Sequence, residues 1–325
     1  MSSATASQQD QEKGKTRSIR SLQWTSFFLA DVQAGLGPFV AAYLASLGWQ
    51  AGSIGRALTF GGLITVLLQT PAGWVVDNVS WKRGVLVAGS VVLATGALLL
   101  GFSGSHAAVY TAQGLIGFAA PFLGPTMAAI TMGIVGAKLF DCQFGRNQGY
   151  NAAGNLFAAA VIATCSHFLG TRAIFFAVAI FVLPTIASAL SIKRDDIDLN
   201  LARGGCEDEA AQGGGRSVLR KLASDRVLLA FFACAFLFHF ANAAMLPQLG
   251  ELLAHGSPQA AAPFMSACIA ITQTVMLLTA AYFGRVANRK GRKGLLLVGF
   301  GVLPLRAVLY TIFHAKAALL GVQLL

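Results

Sequence analysis

From residue 22 onward, apolar runs of about twenty residues or more alternate with short polar segments. A bilayer core about 30 Å thick takes about 20 apolar residues of helix, and a helix satisfies its own backbone there. The pattern predicts membrane-spanning helices at 22–47, 53–76, 84–103, 107–135, 147–169, 172–192, 227–253, 259–283 and 294–314, with another opening near Lys316. "PFLGPT", Pro121 to Thr126, predicts a kink in the fourth, because proline cannot donate to the helical ladder. Residues 1–20 read as a solvated tail, 21–192 as a six-helix bundle, 193–226 as a charged, glycine-rich linker, and 227–325 as part of a second bundle.

Composition strengthens this reading. Hydrophobic residues make up 55% of the 325 and charged residues only 11%, against about 25% charged in a soluble domain. The fold class expected is therefore all-α and integral to a membrane. The start is polar, with no apolar core or small-residue cleavage site, which argues against a cleaved secretory signal. A net charge of +11 raises the question of nucleic acid, but position excludes it. With the N-terminus in the cytoplasm, 20 of the 24 Lys and Arg fall in cytoplasmic segments, leaving only Arg56, Arg172, Arg306 and Lys316 elsewhere. This predicts a multi-pass protein of the inner or plasma membrane. The five cysteines are scattered, with no CxxC pair and no histidine at ligand spacing, so no metal, disulfide or cofactor is expected.

Two of the short segments look alike. "GWVVDNVSWKRG" (Gly73 to Gly84) follows the second span and "GRVANRKGRKG" (Gly284 to Gly294) follows the eighth, 211 residues later. The first spans of the two halves begin about 205 residues apart, so the chain reads as one six-helix unit followed by part of a second copy. Within the motif, Gly73 and Gly284 suit close helix approach. Asp77 can accept hydrogen bonds from a helix N-terminus, with Asn288 in its place in the second copy. The basic residues Lys82, Arg83, Arg292 and Lys293 can hold helix C-termini and lipid phosphates. This Gly-x-x-x-Asp pattern with its basic cluster resembles the loop motif of the major facilitator superfamily (MFS). In that family it recurs between helices two and three and, more weakly, between eight and nine. The resemblance implies an MFS-type fold with an incomplete second bundle, about nine or ten of twelve transmembrane helices, and a second half that would reach about residue 397 if complete. It also implies transport by two bundles rocking about a central cavity. Helix four, "YTAQGLIGFAAPFLGP", is similar to the family's Arg-x-x-Gln-Gly stretch, with Tyr110 or a neighbour in place of the arginine.

An ionisable side chain at mid-bilayer costs about 2.5–3.5 kcal/mol or more unless paired, so each is a functional candidate. Asp31, about ten residues into helix one, suits a proton carrier or a counter-ion, or a paired structural carboxylate. Asn151 and Asn155, four apart on one helical face, suit solute hydrogen bonding or interhelical amide bonding. His239 and Asn242 are neighbours on the seventh helix, and Arg306 on the ninth suits an anionic solute group. Gln69, Gln113 and Gln273 are weaker candidates. No HExxH, GxSxG or phosphate-binding glycine loop with lysine occurs, so no enzyme is expected.

These readings converge on a secondary transporter of a small organic solute, monomeric, embedded among lipids, with proton coupling through Asp31 as an added expectation. A truncated, non-transporting product and a membrane receptor or enzyme are the alternatives.

Overall fold

The computed structural model describes residues 2–34, 38–169, 172–203, 224–256, 258–313 and 315–325. Side chains are described within these segments except at 2–13, 31–34, 38–39, most of 243–266 and a few isolated positions. The described residues are almost wholly helical. The long helices are α1 (Ser2–Ala34), α2 (Pro38–Ser46), α3 (Ala51–Asn78), α4 (Lys82–Phe102), α5 (His106–Val135), α6 (Ala137–Leu169) and α7 (Ala173–Ser191). A 3₁₀ turn at Arg194–Asp196 and the short α8 (Leu199–Ala202) follow. Then come α9 (Arg226–Gly256), α10 (Pro258–Lys290), α11 (Arg292–Ile312) and α12 (Lys316–Val322).

Six helical segments among the described residues are long and apolar enough to cross a membrane: Gly52–Asn78, Lys82–Phe102, His106–Val135, Ala173–Ser191, Ala267–Lys290 and Arg292–Ile312. The other three expected spans fall on α1 with α2, on α6 and on α9, each of which includes residues whose side chains are not described.

The helices divide into two compact units, Met1–Gly205 with Leu277–Arg285, and Cys206–Met276 with Val286–Leu325. In the first, α4 packs on α5 and α7, α1 on α6 and α7, and α3 on α5. Leu86, Leu93, Ala97 and Leu100 recur at helical spacing on α4 and are almost fully enclosed. Tyr43 and Phe175 meet edge to face at 4.9 Å between centroids in the same core. The second unit has a small described core, Cys268 and Leu319 with Tyr310 and Leu320 against them, and α11 carries no buried residue.

Lipid is as apolar as leucine, so close backbone packing and interhelical hydrogen bonds must do the holding. The contact of α3 with α5 uses both. A Cβ on Gly117 would collide with the Gly61 carbonyl oxygen, so the two backbones touch at this pair. Four residues beyond Gly117 stands Pro121, which has no N–H to offer the Gly117 carbonyl. Thr65 of α3 supplies the donor: its hydroxyl lies 3.2 Å from the Gly117 oxygen and 3.1 Å from that of Gly61. The helix α5 runs as one element through Pro121 and Pro125.

Parts of the polar start and of the joining segment are helical and packed. The polar start lies on α1, and Ser18 is fully enclosed, donating to Asp196 Oδ2 at 2.5 Å and accepting from the Lys193 N–H at 3.1 Å. The first part of the linker, 193–203, belongs to the first unit, with Ile197 and Ala202 buried. Composition reports average polarity, and these few apolar and hydrogen-bonding positions are enough to override it locally.

Candidate functional site

The α3–α4 turn carries the first motif. The last four carbonyls of a helix lack intrahelical donors, and all four are met at the end of α3. The Val79 N–H donates to Val75 O at 3.0 Å, Lys82 Nζ to Val76 O at 2.7 Å, and Arg203 through Nε to Asp77 O at 3.0 Å and Nη2 to Asn78 O at 3.3 Å. Lys82 is only 1% exposed, so its ammonium is committed to this helix end. Next to it, Arg83 Nη1 donates to Leu190 O, at 3.2 Å, and to Ile192 O at the end of α7. Cations at helix C-termini also complement the macrodipole. The carboxylate of Asp77 is exposed, within the field of Lys82 and Arg203. A cavity of about 460 Å³ opens here, lined by Trp81, Lys82, Arg83, Arg194 and Asp195 among others. Arg203 is the member that sequence reasoning missed: acceptors on a backbone leave no residue signature.

The two motif glycines differ. Gly73 has nothing within 4 Å of a built Cβ among the described residues, so no described helix packs closely against it. Gly284, in the part of α10 that groups with the first unit, is buried against α6. A Cβ on it would lie 2.5 Å from Asp141 O and 3.1 Å from the Gly145 Cα, and one on Gly145 would lie 2.5 Å from Ala280 O.

On α6 the polar residues form a ladder four apart. Gln143 Nε2 donates to Asn147 Oδ1 at 2.9 Å, and Asn147 Nδ2 to Thr131 Oγ1 of α5 at 3.0 Å. Asn155 Nδ2 donates to Asn151 Oδ1 at 3.3 Å, and Asn151 Nδ2 reaches Ser26 O of α1 at 3.5 Å. A four-residue step advances 400° at 3.6 residues per turn, so the row drifts round the helix from α5 to α1. Sequence reasoning found the upper pair and missed Gln143 and Asn147, although the same spacing extends to them. Beside the upper pair, a Cβ on Gly154 would collide with the Phe27 carbonyl oxygen. The α1 stretch Ser26–Ala30 is thus held against α6 immediately before Asp31, whose side chain lies outside the described residues. Gln113 is 5% exposed with no partner for Nε2 among the described residues, its Oε1 facing Gly61.

In the second unit, His239 and Arg292 line one cavity of about 550 Å³ with Phe231, Phe238, Leu296 and Phe300. Phe238 and Phe300 meet edge to face at 4.9 Å. Asn242, half-buried on α9, is not among the residues lining it, and Asn288 and Lys293 are exposed. Arg306 Nε donates to Tyr310 Oη at 3.1 Å and its guanidinium sits 5.5 Å from the centre of that ring. Gln323 Nε2 donates to the same Oη at 2.5 Å. The half-buried guanidinium is therefore held by a neighbour one turn on.

Comparisons with known proteins place this architecture. A family model described as Major Facilitator Superfamily matches residues 24–323. Two proteins of Mycobacterium tuberculosis, from strains CDC 1551 and H37Rv and each described as an uncharacterised MFS-type transporter, are 38% identical over 310 residues, which is 95% of this chain and 74% of theirs. The crystal structure of a mutant of the nucleoside transporter NupG superposes with a TM-score of 0.65 at 14% identity, covering 94% of this chain and 78% of that one. At that identity the likeness is one of fold.

Proposed function

Because the chain belongs to the major facilitator superfamily, a family of multi-pass membrane solute transporters, we propose that it moves a small organic solute across the inner or plasma membrane by alternating access. The observation that carries this reading is the continuity of the family match from residue 24 to 323, through both units and both copies of the loop motif. Asp31 is the proton carrier in this proposal. A carboxylate at that depth is costly when charged, and α1 is fixed just before it by Gly154 and Asn151. The upper amides then serve mainly to position α1. His239 and Arg292 face the solute path of the second unit, Arg306 supports it through Tyr310, and the motif residues Asp77, Lys82 and Arg83 gate the cytoplasmic end. The basic ends of the spans meet anionic lipid, the tail and the joining segment lie in the cytoplasm, and the protein works as a monomer.

The test is reconstitution of the full chain in proteoliposomes and a screen of labelled nucleosides, sugars, organic acids and amphipathic cations, with and without an imposed pH gradient. Saturable, protein-dependent uptake is the expected result, lost or made insensitive to the gradient in Asp31→Asn. No movement of any solute by well-folded protein supports the alternative of a non-transporting product.

A further inference from the structure

The joining segment is fastened to the first unit at several points before it reaches Arg203. Ser18 of α1 binds both Asp196 and the Lys193 N–H. The Asp198 N–H donates to Gly133 O near the end of α5 at 3.0 Å, and Asp198 Oδ1 caps α8 by accepting from the N–H groups of Asn200 at 2.9 Å and Leu201 at 3.1 Å. Ile197 and Ala202 close over Gly133, where a Cβ would come within 2.8 Å of Ile197 Cγ2 and 3.1 Å of Ala202 Cβ. A short helix pinned at both its start and its buried face delivers the next side chain to one place. That side chain is Arg203, whose planar fork then spans two successive carbonyls of α3.

We propose that Arg203 is the positioning residue of the α3–α4 loop motif, latching the C-terminal end of α3 at Asp77 and Asn78 so that the segment joining the two units holds the loop closed. Of the four carbonyls at this helix end, one is met by the turn itself, one by Lys82, and two, among the described residues, by Arg203 alone. Lys82 fixes the buried side of the turn, and Arg203 fixes the exposed side, where Asp77 stands. The role of the latch in a gating loop rests on the transporter reading, but the latch itself is a contact that can be measured without transport.

The measurement uses the full chain in membrane vesicles, with its native cysteines changed to serine and Val76→Cys introduced. Val76 is 1% exposed beneath the turn, packed with Val85 and Ala129, so a charged maleimide reaches it only when the turn opens. Arg203→Ala is expected to speed labelling about three- to tenfold, the scale of losing one or two exposed charged hydrogen bonds. Arg203→Lys, which keeps one donor, should restore an intermediate rate. Asn200→Ala, an exposed side chain of the same segment, should leave it unchanged. Equal labelling of Arg203→Ala and its parent, or an equal rise with Asn200→Ala, overturns the proposal. If Arg203→Ala fails to insert, the Lys variant decides by the same comparison. A labelling contrast in a protein that moves no solute upholds the latch and removes only the transporter reading.

Discussion

At the residue scale, contact distance outweighs hydrogen bonding in this protein. Interhelical hydrogen bonds in membranes contribute about 0.6 kcal/mol on average, while forcing an added group into a filled contact costs about 1–3 kcal/mol. Gly154→Val is therefore expected to lower the detergent-solubilised melting temperature clearly, because its side chain would drive α1 from α6 at the Phe27 carbonyl. Gly62→Ala, next to open space, should leave it within error. Thr65→Val, which removes the bridge to Gly117, should fall between them and near the second. A reversed order would contradict the packing account. The spacing of Asn151 and Asn155 puts them on one face by sequence alone, and the structure has them 3.3 Å apart. What spacing could not supply is the neighbour: that the row reaches Thr131 at one end and Ser26 at the other depends on which helices lie beside α6.

Helix ends carry the argument at the scale of elements. Arg83 binds the terminal carbonyls of α7 and Lys82 that of α3, so the two adjacent basic residues hold two different helices. Removing a cation from a partly buried helix C-terminus costs up to about 2 kcal/mol. Arg83→Ala should destabilise the protein by about 1–2 kcal/mol in a chemical unfolding titration, with Arg83→Lys recovering part of the loss; an unchanged midpoint in Arg83→Ala would remove this capping role. The helices themselves were legible from the apolar runs, since length and composition are what a bilayer selects. The ordered stretches at 14–20 and 193–203 were not. Their stability comes from single partners, such as Ser18 with Asp196, that a sequence window averages away. The helix α5 runs unbroken through Pro121, and the freed Gly117 carbonyl finds a donor on α3.

For the whole molecule, the all-α membrane architecture and family follow from the sequence because the loop motif repeats at the spacing of a bundle. The solute does not, since it depends on side chains brought together from distant helices. Arg292 and His239 share a cavity though 53 positions separate them in the chain. Orientation has its own test. Cysteines placed in the tail and in the joining segment should both react with an impermeant reagent only from the cytoplasmic side, and reaction from opposite sides would break the even helix count. The central claim, that this chain carries a solute by alternating access with Asp31 as its proton carrier, is tested most directly by solute uptake into proteoliposomes under an imposed pH gradient. The account predicts saturable uptake that the gradient accelerates and that Asp31→Asn uncouples from it. Gradient-driven uptake that persists undiminished in Asp31→Asn would contradict it.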